Sequence, residues 1–346
     1  MSVPIAPEDT LMFAEAAQAP AVVARQAAVQ QAARAALATA LRQTPPRAVV
    51  TLARGSSDNA ATVARYLVET HLRLMTSSAS PSVSSVYDAA PDYDGTLMLA
   101  ISQSGRSPDL LAAAGMARQG GARLAALVND ETSPLAALAD TCLPLAAGPE
   151  KSVAATKSFI ASVAALIHLI AEWDEDVALL RALDDLPALL ERAWALDWSD
   201  ALPPLLDARN LYVVARGPGY GIAQEMALKI KETCGFHAEA FSAAEVRHGP
   251  MAIVEKGFPV LLLGQDDESR DSVAGLAPEF AARGALVISA GIGDVPGIRL
   301  PVLEAHPVLQ PLLLVQSFYR LANALAVARG RDPDRPPHLA KVTETV

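Results

Sequence analysis

Two short apolar runs in the chain end in the same pair of residues, and each is followed by a helical stretch. Val50-Thr51-Leu52-Ala53-Arg54-Gly55 can be laid on Tyr212-Val213-Val214-Ala215-Arg216-Gly217, an offset of 216 − 54 = 162 residues, and the same offset carries Gln103 onto Gln265. Agreement of two separate strand ends on one offset indicates a duplicated unit, with a period far longer than that of solenoid repeats. Neither run alternates between apolar and polar residues, the pattern of a strand covered on both faces. Strands of that kind alternating with helices imply a parallel sheet. The expected architecture is therefore α/β, with two doubly wound parallel-sheet domains related by internal duplication.

Length supports two domains, because single cores usually stop growing near about 250 to 300 residues and the chain has 346. The reading along the chain gives an N-terminal helical segment over residues 1–46, a first domain over 47–196, a second over 197–330 and a tail over 331–346. Glu8 to Leu41 reads as Ala-rich helix broken at Pro20. Strands are expected at 48–53, 96–101, 123–128 and 141–146, then at 211–215, 259–264, 285–288 and 298–302. Long helices are expected over 153–173, 177–196 and 308–329, and the proline-rich tail cannot be regular helix.

With 51% hydrophobic and 19% charged residues the chain reads as ordered and globular. A net charge of −10 speaks against a nucleic-acid partner, whose phosphates would require clustered Lys and Arg. The N-terminus lacks the pattern of a signal peptide and the longest apolar run, Phe159 to Ala171, is too short to cross a bilayer. A cytoplasmic protein with no membrane partner is expected. Cys142 and Cys234 lie far apart in unlike surroundings and suggest neither a disulfide framework nor a metal site.

Candidate chemistry gathers at the strand ends. Ser102, Gln103, Ser104 and Ser107 surround Gly105 and Arg106 in a turn from strand to helix, and Ser56 and Ser57 stand at the neighbouring strand end. Backbone N–H groups and hydroxyls there can converge on an anion near the positive end of a helix, and open parallel sheets bind ligands beyond the carboxyl ends of their strands. Ser and Gly are also ordinary loop and capping residues. The corresponding end in the second copy reads Gln265-Asp266-Asp267-Glu268, whose acidic side chains would repel a phosphate. The first domain is thus expected to hold the anion and the second to supply chemistry.

Glu225, Lys229 and Glu232 are spaced by four and three residues, so all three share one helix face. Such a stripe is either solvated or, as the flanking Ala227, Leu228 and Ile230 suggest, pressed into the domain. In the second case a partly desolvated Lys–Glu pair would have shifted proton affinities suited to acid–base work. His248 lies in a short charged segment ending in Gly249-Pro250, and a loop His is commonly just exposed. Glu150 to Lys157 places small and hydroxyl residues at the start of a long helix, an arrangement that also serves plain capping.

Taken together, Ser102 to Gly105, Glu150 to Phe159, Ala227 to Glu232, His237 to Ala240, Glu245 to Pro250 and Leu339 to Lys341 resemble the isomerase half of glucosamine-6-phosphate synthase, a pair of sugar isomerase (SIS) domains of flavodoxin-like fold. The resemblance covers nearly the whole chain in order. It implies that Ser57, Ser102, Gln103, Ser104 and Ser107 bind a sugar phosphate, with Ser56 close by and Val153 and Ala155 lining the sugar. Arg106 replaces a usual acidic residue and would add charge near the phosphate. It further implies that Glu232 moves a proton between C1 and C2, with Lys229 in support. His248, reaching across from a second subunit of a homodimer, would help open the ring, and Lys341 would meet the open-chain carbonyl, an imine being one form of that contact. A carboxylate can shuttle the proton and an amine can attack the carbonyl, so no metal or other cofactor is expected. A glutaminase half with a nucleophilic Cys is not expected here, since residue 2 is Ser.

The expected reaction is conversion of glucosamine 6-phosphate to fructose 6-phosphate and ammonia. Alternatives are the isomerase component of glucosamine-6-phosphate synthesis using ammonia or a separate glutaminase, a fructosamine-6-phosphate deglycase, and a non-catalytic sugar-phosphate-binding regulator.

Overall fold

The computed structural model describes residues 5–341. It contains two five-stranded sheets in which every strand pair is parallel. The first comprises β1 (Ala48–Leu52), β2 (Thr76–Ser78), β3 (Thr96–Ser102), β4 (Arg123–Val128) and β5 (Thr141–Pro144), in the order β2-β1-β3-β4-β5. The second comprises β6 (Asn210–Ala215), β7 (His237–Ser242), β8 (Pro259–Leu263), β9 (Leu286–Ala290) and β10 (Ile298–Leu300), in the order β7-β6-β8-β9-β10. The two orders are the same, so β6 stands where β1 stands and β8 where β3 does, as the 162-residue offset requires.

The central strands β3 and β8 are buried along their whole lengths. That is why they read as unbroken apolar runs: helices cover both faces of a parallel sheet. Two strands escape that signal. The sequence reading omits β2 and β7, each paired on one side only, because β2 is three residues of Thr and Ser and β7 has exposed His237 and Glu239. Edge strands need no apolar run and commonly carry polar groups.

Three helix boundaries also differ from expectation. The chain breaks at Ala17 and Gln18, between helices Leu11–Ala16 and Ala19–Gln43, so Pro20 lies in the first turn of the second helix, where its missing N–H costs nothing. The long helix expected from 153 begins at Lys157, and residues 151–156 are irregular. The stretch 177–196 is two helices, Val177–Asp184 and Leu186–Ala195, with Pro187 in the first turn of the second.

Packing groups the residues into two compact units, each discontinuous in sequence. The unit of the first sheet contains Ala21–Glu150, Lys157–Asp184 and the chain from Ala340. In it, the buried Gln26 and Gln30 donate to the carbonyls of Leu145, Ala161 and Pro144, which fastens helix Ala19–Gln43 beside the end of β5. The unit of the second sheet contains the chain up to Pro20, Lys151–Thr156 and Asp185–Leu339. There Thr10 donates to Asn323 at 2.7 Å, and Asp334 accepts from the backbone N–H groups of Leu11 and Met12, both at 2.7 Å. These long-range bonds explain why residues 5–20 pack with the far end of the unit. Helix Gln310–Ala328 is apolar and long enough to cross a membrane, and most of it is buried.

His168, on helix Lys157–Asp174, is 7% exposed, and burial, with the Arg34 guanidinium as a second cause, lowers its pKa from 6.5 to about 4. The folded state therefore resists a proton that the unfolded chain accepts. His168 contributes stability above pH 6.5 that is lost as the pH falls towards 4. The loss between neutral pH and pH 4.5 is expected to be about 2 to 3 kcal/mol. Urea titrations at the two pH values should show this drop shrinking by that amount in His168→Gln; an undiminished drop would count against the assignment.

Candidate active site

In the first-sheet unit β1 and β3 are neighbours, with β2 lying beyond β1, so the chain leaves the two strands towards opposite faces and opens a crevice beyond their carboxyl ends. Gly55 turns the chain out of β1 with φ +56°, and helix Ser56–Leu67 follows immediately, placing Ser56 and Ser57 in its first turn. At the end of β3, the Ser102 hydroxyl accepts from the Gly105 N–H at 3.1 Å, and the Ser104 hydroxyl accepts from Arg106 N–H at 3.4 Å. Gly105 has φ +63°, and a Cβ there would lie 2.3 Å from the Ser133 hydroxyl, so both backbone and space demand glycine. Ser107 precedes helix Pro108–Gln119 as its N-cap residue without using its side chain to cap. The side chains of Ser57, Gln103 and Ser107 make no hydrogen bond among the described residues. The five predicted phosphate-binding residues, and Ser56 with them, thus lie at two adjacent strand ends.

Two ion pairs that the sequence reading leaves out shape this region. Arg54 donates from Nε and Nη2 to the buried Asp109 at 3.1 and 2.8 Å, tying the loop after β1 to the first turn of helix Pro108–Gln119. Arg54 belongs to the repeated Arg-Gly pair, and that was its only signal. Arg106 does not stand as an added charge: its Nη2 meets Asp130 at 2.7 Å. Hydrogen bonds from Thr132 and Arg106 lower the Asp130 pKa to about 2, so this partner is ionised at neutral pH.

The second sheet repeats the geometry but not the chemistry. Gln265, 1% exposed, donates from Nε2 to the Arg216 carbonyl at 3.0 Å, to Asp267 at 2.9 Å and to Ser269 at 2.8 Å. A Cβ on Gly219 would lie 2.6 Å from Gln265 Oε1. The crevice between the ends of β6 and β8 is therefore occupied by the protein's own side chain.

The charged stripe is pressed into its unit. Helix Gly219–Lys229 passes at Ile230 into a single π-helical turn, Ile230–Cys234, closed by Gly235 at φ +66°. Glu225 and Lys229 have side chains 0% and 1% exposed, and the Lys229 ammonium lies 3.4 Å from Glu225 Oε1 and in close contact with Glu232 Oε2. Glu232, in the π turn, is 20% exposed. π turns recur at functional sites. Burial works against the Lys229 charge, but the Glu225 and Glu232 carboxylates outweigh it, holding the ammonium above the ordinary lysine value. In the same unit His248 is exposed on the loop after the turn Glu245–Arg247. Val153 and Ala155 are half-buried in the irregular segment 151–156. That segment is held by Glu15, which accepts from the N–H groups of Lys151 and Ser152 at 2.6 and 3.1 Å, and by Val153 N–H donating to Asp334.

Lys341 lies with the first-sheet unit, its Nζ 3.2 Å from Oε2 of Glu150. The Glu150 side chain is fully buried and also accepts from Ser158 N–H at 3.2 Å and Ser158 Oγ at 2.6 Å. One carboxylate thus caps helix Lys157–Asp174 and anchors the tail lysine, which is why that helix starts later than its composition suggests.

Serine- and glycine-bearing turns at the carboxyl edge of one parallel sheet, and a buried carboxylate–lysine stripe beside the other, are carried by a doubled parallel α/β fold. The chain belongs to the SIS domain family, which it matches over residues 44–171 and again over 204–294. It is 35% identical over 313 residues to glutamine–fructose-6-phosphate aminotransferase (isomerizing) of Zymomonas mobilis, covering 85% of this chain and 51% of that protein. The enzyme of the same name from Aeropyrum pernix is 36% identical over 308 residues, covering 83% and 49%. The chain thus spans about half the length of these curated relatives. A candidate phosphosugar isomerase from Silicibacter pomeroyi superposes with a TM-score of 0.90 at 41% identity, covering 94% of this chain and all of that one. The C-terminal domain of glucosamine-fructose-6-phosphate aminotransferase from Francisella tularensis superposes at 0.85 with 26% identity, covering 94% and 98%.

The Glu150 anchor has a direct test. Glu150→Gln should raise the rate at which an amine-directed acylating reagent modifies Lys341 by about three- to tenfold relative to exposed Lys256, the scale of losing one partly exposed ion pair. Peptide mass mapping reads both sites, and equal rates in variant and wild type would refute the anchor.

Proposed function

We propose that the chain is an enzyme interconverting an amino-hexose 6-phosphate and a keto-hexose 6-phosphate, with glucosamine 6-phosphate, water, fructose 6-phosphate and ammonia as its reactants and products. The observation that carries this reading is the Glu225–Lys229–Glu232 stripe, two carboxylates on one buried ammonium. The aldose–ketose step needs such a group, because one hydrogen must leave C2 and another arrive at C1 on the same face. Glu232 takes the C2 proton of the open-chain amino aldose and returns it to C1, and Lys229 stabilises the negative charge that develops on oxygen. Water then adds to the resulting C2 imine and ammonia leaves, giving the ketose. With free ammonia dilute, mass action favours release, so deamination is the direction proposed.

Ser56, Ser57, Ser102, Gln103, Ser104 and Ser107 supply hydroxyls, an amide and backbone donors for the 6-phosphate, and Val153 and Ala155 line the sugar. His248, contributed by a second subunit of a homodimer, assists ring opening, and Lys341 meets the open-chain carbonyl. A cytoplasmic setting suits a phosphorylated metabolite. A second reading, amination of fructose 6-phosphate, is favoured by the names of the relatives that are 35% and 36% identical.

Purified protein given glucosamine 6-phosphate should release ammonia and fructose 6-phosphate in equal amounts. Glu232→Gln should lower kcat by about a thousandfold or more while sugar-phosphate affinity stays within about threefold, because the proton carrier is lost and the phosphate turns are untouched. Wild-type turnover by that variant would sink the assignment. Binding without turnover by the wild type would point instead to a fructosamine 6-phosphate substrate or a regulatory role.

A further inference from the structure

Glu225 has no part in the reaction as proposed, although it is the most enclosed member of the stripe. It has no accessible surface, and its Oε1, the oxygen that lies 3.4 Å from Lys229 Nζ, also accepts at 3.1 Å from the hydroxyl of Tyr319, itself fully buried on helix Gln310–Ala328. Replacing a buried ion pair by apolar side chains of similar volume is often neutral or stabilising, so packing alone gives a weak reason to keep a carboxylate, an ammonium and a phenol together here. The two carboxylates that share Lys229 also differ in setting. Glu225 lies on regular α-helix with its side chain fully enclosed, whereas Glu232, on the π turn, has a side chain that is 20% exposed. With one positive and two negative charges the cluster carries a formal charge of −1.

We propose that Glu225, oriented by Tyr319, is a positioning residue that holds Lys229 as an ammonium and, by sharing its charge, leaves the Glu232 carboxylate available to take a proton. The proposal rests on the reading that Glu232 is the proton carrier. Were Glu225 neutral, Lys229 would face Glu232 alone, and the one-to-one ion pair would withhold that carboxylate from substrate. The same arrangement makes Lys229 a fixed donor rather than a nucleophilic amine.

The charged and titratable groups around Lys229 are Glu225 and Glu232 on its own helical segment and Tyr319 on helix Gln310–Ala328. On the neighbouring β7, His237 and Glu239 are exposed and face each other at 3.7 Å. Cys234, whose thiol burial pushes up to about 11, is common to wild type and variants, so a difference between their profiles belongs to the stripe.

The test is the pH dependence of kcat/KM, with kcat and KM resolved, in Glu225→Gln and Tyr319→Phe. Glu225→Gln should lower kcat by about ten- to a hundredfold with KM within about twofold, and its alkaline limb should move to lower pH by about one unit or more, since the ammonium has lost a counter-charge. Tyr319→Phe should move kcat and limb in the same direction by less. A merely structural role would lower the active fraction without moving the limb. An unmoved limb in both variants overturns the proposal; if Glu225→Gln does not fold, an unmoved limb in Tyr319→Phe does so alone. Glu232→Gln is assayed alongside: if it turns over normally, the underlying assignment of the proton carrier has failed, and if it is inactive while Glu225→Gln matches wild type in rate and limb, only the positioning role has.

Discussion

The ten strands of the described residues all run parallel to their neighbours, and much else in the molecule is a consequence. A parallel pair cannot be joined by a tight turn, so each connection crosses a face of the sheet, both faces become covered and the central strands turn uniformly apolar. Backbone polarity is then free to emerge only at the strand ends. In a sheet ordered β2-β1-β3-β4-β5 the loops after β1 and β3 diverge, and the resulting crevice is where polar groups can converge on a ligand. Gly55 and Gly105, both at positive φ, let those two loops turn sharply into their helices. Arg54 and Asp109 join the loops to each other.

Duplication supplied the crevice twice, and the copies solve its polarity differently. In one, the hydroxyls of Ser57 and Ser107 and the amide of Gln103 remain uncommitted among the described residues. In the other, Gln265 folds inward and satisfies itself against Arg216, Asp267 and Ser269. The residue type is the same at both positions, so the difference is made by neighbours: Gly219 leaves room for the Gln265 amide, and Asp267 and Ser269 accept from it.

Buried charge follows a common rule in both units. Each enclosed carboxylate serves more than one donor: Glu150 takes Ser158 and Lys341, Glu225 takes Tyr319 and Lys229, and Asp109 takes two nitrogens of Arg54. An ion removed from water keeps its charge only when its remaining lone pairs are met in this way. Glu232 differs from these in being partly open to solvent, on a widened helical turn.

The parallel α/β class, the duplication and the central strands were legible because burial on both faces writes itself as uninterrupted Val, Leu and Ala. The edge strands β2 and β7 were not, since one unpaired side removes the need for apolar residues, and the start of helix Lys157–Asp174 was hidden because its cap, Glu150, lies seven positions upstream. The residues at the strand ends could be named from local spacing and from resemblance, as could the face shared by Glu225, Lys229 and Glu232. Whether that face was solvated or enclosed could not, because helical periodicity says which side chains align but not what lies against them. The roles of Tyr319 on Glu225, of Glu150 beneath Lys341 and of Asp130 beside Arg106 join residues 94, 191 and 24 positions apart. The sequence by itself determined the central strands, the turns that follow them and the list of candidate reactive groups; only the tertiary structure decided which charges are buried together and which polar side chains are left without a partner in their own unit, since both depend on contacts between segments that local sequence does not relate.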